Sequence, residues 1–185
     1  DRQCTSCPVG ETTTGVNETS CIISPFDQFA AGGKFVCGIR SSDGEVVCWG
    51  QDNFGKSSGV PDGVTYDEVS AGHSHACAIR SGNGEVNCWG YDASGQVSGV
   101  PSGVAFSSIS VGRYHTCGIR SSNGEVDCWG RDSDGQVSAA PSGTSYDSLS
   151  SGLSHTCGLR TSDGHVTCWG DDGAGEVSGA PSGVA

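Results

Sequence analysis

Residues 65–103 read TYDEVSAGHSHACAIRSGNGEVNCWGYDASGQVSGVPSG, and the chain repeats this phrase four times in 185 residues. Trp49, Trp89, Trp129 and Trp169 stand 40 residues apart, each inside a Cys-Trp-Gly-x-Asp phrase, and Cys37, Cys77, Cys117 and Cys157 keep the same step. So do Arg40, Arg80, Arg120 and Arg160, and Gly44, Gly84, Gly124 and Gly164. Periods of about 40 residues belong to helical repeats or to propeller blades, whose units bury their apolar faces against neighbours. In residues 65–103 no apolar spacing at i, i+3, i+4 is sustained, whereas short apolar or alternating runs are bounded by Gly, Ser, Asn and Pro. The runs centre on Tyr66–Ser70, His75–Arg80 and Glu85–Trp89, with a weaker fourth around Gln96–Ser98. The expectation is an all-β fold of propeller-type blades, each of about four antiparallel strands. The repeats divide approximately at 25–64, 65–104, 105–144 and 145–185, after a small cysteine-rich segment, 1–24.

The hairpin between the second and third runs can be written in register. With Cys37 opposite Cys48, Ile39 faces Val46 and Arg40 faces Glu45, which leaves Ser41-Ser42-Asp43-Gly44 as the loop. Arg40/Glu45, Arg80/Glu85 and Arg120/Glu125 then form opposite-charge cross-strand pairs, and Arg160 meets His165 instead. Strand side chains alternate, so the cysteines share a face with Ile39 and Val46 while Trp49 points the other way. The register predicts four disulfides: Cys37 to Cys48, Cys77 to Cys88, Cys117 to Cys128 and Cys157 to Cys168. Eleven cysteines, eight of them in this repeating pair, predict an extracellular or cell-surface location. Cysteines placed singly at an eleven-residue step lack the close Cys-x-x-Cys pairing of zinc sites.

Composition excludes several partners. Nine basic against 21 acidic residues, a net charge of -12, leaves no basic face to displace the counterions of nucleic acid. No apolar run has the length of a membrane span. The sequence begins at Asp1, without initiator Met or signal segment, as expected of a processed protein or a fragment.

In residues 1–24, Cys4-x-x-Cys7-Pro8-x-Gly10 resembles the signature of ephrin-receptor-like and tumour-necrosis-factor-receptor-like cysteine-rich modules. Of its three cysteines, Cys7 with Cys21 is the preferred pair, leaving Cys4 for a partner upstream or on another chain. Asn17-Glu18-Thr19 is the single glycosylation sequon, so an N-glycan is expected at Asn17.

The repeats, as spelled from Gly112 to Gln136, resemble those of the regulator-of-chromosome-condensation family, and in flavour its extracellular, cysteine-bearing members, the crinkly-type plant receptor-kinase ectodomains. The resemblance covers residues 25–185 and implies a propeller, usually of seven blades. It departs from the family in Cys-Gly-Ile, where Ala-Leu is usual, and in Asp52, Asp92, Asp132 and Asp172, where Asn is usual. Seven blades at this spacing need about 280 residues, so the ring is expected to close with further sequence, with other chains, or to stack open.

Comparison between repeats separates scaffold from recognition. The constant Gly, Cys, Arg, Trp, Asp and Pro positions are architecture, with the tryptophans read as packing rather than a sugar-binding ladder. Gly33/His73/Arg113/Leu153, Lys34/Ser74/Tyr114/Ser154 and Gln51/Tyr91/Arg131/Asp171 vary, and of these Arg113, Tyr114, Tyr91 and Arg131 are the candidate interaction residues. His75, His115 and His155 recur where the first repeat has Phe35, the pattern of a structural histidine rather than of a catalytic one. Asp132-Ser133-Asp134-Gly135 and Asp171-Asp172-Gly173 lack the terminal Glu of a calcium hand. No residue is assigned as catalytic or as a metal ligand, and no cofactor is implied. The expected function is a non-enzymatic, secreted building block of an extracellular fibre or coat, self-assembling or completed by missing segments. The alternative is a ligand-binding ectodomain of a receptor or secreted inhibitor.

Overall fold

A computed structural model describes residues 24–181. Cys4, Cys7, Cys21 and Asn17, with the module expected around them, lie outside the described residues. The described chain folds into four sheets of three antiparallel strands, one sheet per repeat and each in sequence order. The first blade is β1 (Phe26–Ala31), β2 (Phe35–Arg40) and β3 (Val46–Gly50), and the second is β4 (Tyr66–Ala71), β5 (His75–Arg80) and β6 (Val86–Gly90). The third comprises β7 (Phe106–Val111), β8 (His115–Arg120) and β9 (Val126–Gly130), and the fourth β10 (Tyr146–Ser151), β11 (His155–Arg160) and β12 (Val166–Gly170).

The hairpin register is the one the sequence implies: Cys37 opposes Cys48, Ile39 opposes Val46, and the next two blades repeat the pattern. Four disulfides cross these hairpins at Cys37–Cys48, Cys77–Cys88, Cys117–Cys128 and Cys157–Cys168. The expected fourth strand is not formed. Asp92 accepts the backbone N–H groups of Val97 and Ser98, and Gly99 N–H bonds back to Gly95 O, which rolls the Gln96–Ser98 segment into a turn. In the first blade a single 3-10 turn, Asn53–Gly55, stands just before Lys56–Ser58, the counterpart of that segment.

The pairing of charges also differs in one blade. Arg40 and Arg80 reach Glu45 and Glu85, but Arg120 takes Asp127, with Nε and Nη2 each 2.6 Å from a carboxylate oxygen. Glu125 lies directly opposite Arg120, and Asp127 is its diagonal neighbour, within reach of a long side chain. The diagonal position holds Val47, Asn87 and Thr167 in the other blades, so only the third blade offers this carboxylate.

Blades stack disulfide face to aromatic face. Ile39, Val46 and the Cys37–Cys48 bond pack on Tyr66, Val69 and Trp89 of the next blade. Ile79, Val86 and Cys77–Cys88 pack on Phe106, Ile109 and Trp129, and Ile119 with Cys117–Cys128 on Tyr146 and Trp169. Burying each large side chain there contributes about 1.5–3 kcal/mol. The first strands of successive blades touch one another and are laced by side chains: Gln28 Oε1 accepts Val69 N–H, Glu68 Oε1 accepts Ile109 N–H, and Ser70 Oγ accepts Val111 N–H. These strands therefore line the inside of the stack. At the two outer faces the same positions are open, with Phe29 and Trp49 72% and 47% exposed on the first blade, and Leu159 and Val166 36% and 41% on the fourth.

Candidate functional site

Each blade has two edges with different chemistry. At the hairpin edge sit the four recurring arginines, each paired with a carboxylate: Arg40 with Asp43 and Glu45, Arg80 with Glu85, Arg120 with Asp127, Arg160 with Asp163. At the opposite edge the loop after the first strand meets the residue that follows Trp-Gly. The glycine there has φ between 103° and 110°, and a Cβ on Gly90 would stand 2.8 Å from Ser74 O. Only glycine lets the chain turn in so closely. The next residue then bonds to the loop: Gln51 N–H to Lys34 O, Tyr91 to Ser74 O, Arg131 to Tyr114 O, Asp171 to Ser154 O. The three sets of varying positions singled out from the sequence are thereby gathered on one edge.

Between the second and third blades this edge is aromatic and cationic. The rings of Tyr91 and Tyr114 are 5.8 Å apart, the Arg113 guanidinium lies 5.0 Å from the Tyr114 centroid, and that of Arg131 lies 6.0 Å from it. The four residues singled out from the sequence thus converge on one ring, each cation held by the negative face of the π-system. His73 stands 6.3 Å from Tyr114 and Phe54 4.8 Å from Tyr91, extending the cluster. Phe54 was not legible as part of it. It is 68% exposed at φ 67°, and among the described residues it is the one non-glycine with positive φ. The signal in the sequence is a bulky aromatic where the other repeats have Ser94, Asp134 and Ala174.

Carboxylates near this edge are occupied by the backbone. Asp132 accepts Ser138 and Val137 N–H, and those bonds hold its carboxyl below the usual carboxylate range; Asp172 is lowered in the same way, and Asp52 first by the side chains of Ser57 and Ser58 and then by their backbone N–H groups. Arg131 Nε donates to Ser133 Oγ, and the Ser133 hydroxyl donates to Asp134. Among the described residues no group of three or more His, Cys, Asp or Glu is arranged to hold a metal ion.

The recurring histidines lie elsewhere. His75 and His115 are fully buried between blades, their Nε2 atoms 2.8 Å and 2.9 Å from the hydroxyls of Thr116 and Thr156 on the following blade. Burial pushes His75 down to about 3 and His115 to about 4, so both rings are neutral. Trp89 and Trp129 are buried as well, and their indole N–H groups donate to Lys56 O and Gln96 O of the preceding blade. No helix among the described residues is long and apolar enough to cross a membrane.

The model of the regulator of chromosome condensation (RCC1) repeat matches residues 26–56, 67–96, 106–136 and 146–176. Among solved structures, the entire ectodomain of the Physcomitrella patens receptor kinase CR4 is similar at 32% identity and a TM-score of 0.70, over 79% of this chain and 41% of that one. The CRINKLY WD40 ectodomain of the Arabidopsis thaliana receptor kinase ACR4 is similar at 30% identity and a TM-score of 0.66, over 78% of this chain and 49% of that one. Yeast RCC1 (Prp20), solved bound to Kap60, shares the fold at 18% identity and a TM-score of 0.64, over 80% and 44% of the two chains. This chain spans less than half the length of each. No curated protein matches it. Four matched repeats, each folded as a disulfide-crossed blade of the same kind, place the chain in the family of RCC1-repeat proteins.

Proposed function

We propose that the chain is part of a non-enzymatic, ligand-binding ectodomain that recognises another protein through the variable edge of its second and third blades. The convergence of Arg113, Arg131 and Tyr91 on Tyr114 carries this reading, because the fold brings these positions to one edge in every repeat but fills them with tyrosines and arginines only here, and Tyr and Arg dominate binding hot spots. Four disulfides and the likeness to two receptor-kinase ectodomains support an extracellular location. A photo-crosslinking residue at Tyr91 would identify the bound protein on intact cells of the source tissue. With that protein purified, Tyr114→Ala is expected to weaken binding roughly 10- to 30-fold with an unchanged thermal midpoint; unchanged affinity overturns the reading.

A second reading, a self-assembling fibre or coat component, is favoured by the open outer faces. Phe29 and Trp49 occupy the positions of an aromatic acceptor face, and Leu159 and Val166 those of the face that packs on it. Head-to-tail contact of copies would join them. Under this reading Leu159→Glu dissolves large particles seen by light scattering, and Tyr114→Ala leaves them intact.

A further inference from the structure

The sequence places nine lysines and arginines in the chain, and eight of them, all but Arg2, fall among the described residues. Four are the hairpin-edge arginines, each paired with a carboxylate. Lys56 is buried, with its ammonium on Gln51 Oε1. The other three, Lys34, Arg113 and Arg131, are exposed, make no ion pair among the described residues, and all lie on the variable edge. Two are held in place by a tyrosine ring, which positions a cation without neutralising it. Beside them runs a groove of roughly 320 Å³, walled by the backbone at Gly72, Gly112 and Gly152, with His73 and Arg113 on its rim and no carboxylate in its lining. In a chain of net charge -12, the exposed cations without an ion pair among the described residues thus lie on the variable edge, two of the three in its aromatic patch.

We propose that the occupant of this edge is an acidic peptide segment of the partner protein, whose carboxylates pair with Arg113 and Arg131 and whose neighbouring apolar side chain rests on Phe54 and Tyr91. The proposal builds on the protein-interaction reading. Guanidinium groups pair with carboxylates through two parallel hydrogen bonds, and a stacked guanidinium keeps an edge for them; Arg131 commits Nε to Ser133, which leaves its two terminal nitrogens for the pair. Phe54, exposed and in the left-handed backbone region, is the kind of local strain that gathers at ligand-binding surfaces. The surrounding negative charge repels acidic peptides in general, so only a local site can select them.

The test is selection of a random bead-bound library of 12-residue peptides by the full chain at 150 mM salt. Recovered sequences are expected to be enriched in Asp and Glu at least twofold over the library, and a selected peptide to bind the Arg113→Gln/Arg131→Gln variant at least 10-fold more weakly, with the thermal midpoint unchanged. Recovery of neutral or basic sequences, recovery of none, or equal binding by the double variant overturns the acidic-segment proposal. If neutral peptides are recovered and lose affinity on Tyr114→Ala, the protein-interaction reading stands without it. If a sulfated oligosaccharide binds and no peptide does, both fall.

Discussion

The junction between the first two blades is dry at one position where the two that follow are polar. At the first, the buried ring of Phe35 and the methyl of Ala76 lie in one apolar cluster. At the second and third, the same two positions hold His75 with Thr116 and His115 with Thr156, each joined by a hydrogen bond inside a buried interface. The two members of each pair are 41 residues apart and change together. An imidazole facing alanine would lose its buried partner, and a phenyl ring facing threonine would strand a hydroxyl, so each blade fits the neighbour that follows it. Polar groups that must be matched when buried are a device for specifying order rather than for adding stability.

Acid should separate the two kinds of junction most strongly. Both histidines have an ordinary value of 6.5 and are depressed in the fold, so below pH 6.5 the unfolded chain takes up protons that the folded chain refuses. Stability is full above that pH and is lost as the pH falls toward about 4 for His115 and about 3 for His75. By pH 4 the loss is on the order of 3 kcal/mol for each histidine, measurable as a falling denaturant midpoint. Replacing the second junction by the dry type, His75→Phe with Thr116→Ala, is expected to remove about half of that loss; an unchanged acid slope would show that the histidines do not carry it.

At neutral pH, Thr116→Val keeps the shape and removes the hydroxyl. His75 Nδ1 has no partner among the described residues, so the ring loses the one hydrogen bond it makes there, at a cost of about 2 kcal/mol. The matching change at the dry junction is the smallest effect. Phe35→His alone should destabilise, and Ala76→Thr added to it should recover about 1 kcal/mol, read as the coupling energy of a double-mutant cycle. Additivity of the two substitutions would mean that the pairs do not communicate.

The parts of the fold legible in the sequence were those fixed by short-range spacing. The step of 11 between Cys77 and Cys88 determines the hairpin register, and strand alternation then puts Trp89 on the other face. Gln96–Ser98 misled because its composition suits a strand, while the carboxylate that curls it, Asp92, stands five residues earlier and acts through its side chain. Asp127 was passed over for Glu125 because direct opposition was considered and the diagonal was not. Tyr91, Arg113, Tyr114 and Arg131 stand out in the sequence by their variation and by the weight of Tyr and Arg in binding hot spots, but the addition of Phe54 depends on the distance between neighbouring loops, which no spacing within one repeat encodes.

The disulfides have a mechanical consequence. Each one closes a hairpin within a blade and none among the described residues joins one blade to another. A protein displayed outside a cell is exposed to shear and to tension along its chain. Pulled from its ends, this array would come apart one blade at a time, each shedding its neighbour while its own hairpin stays shut. Of the 40 residues in a repeat, the 11-residue step inside the covalent loop cannot lengthen, so each rupture releases roughly 100 Å of chain at about 3.5 Å per residue. The blade that re-forms afterwards starts from a hairpin already in register.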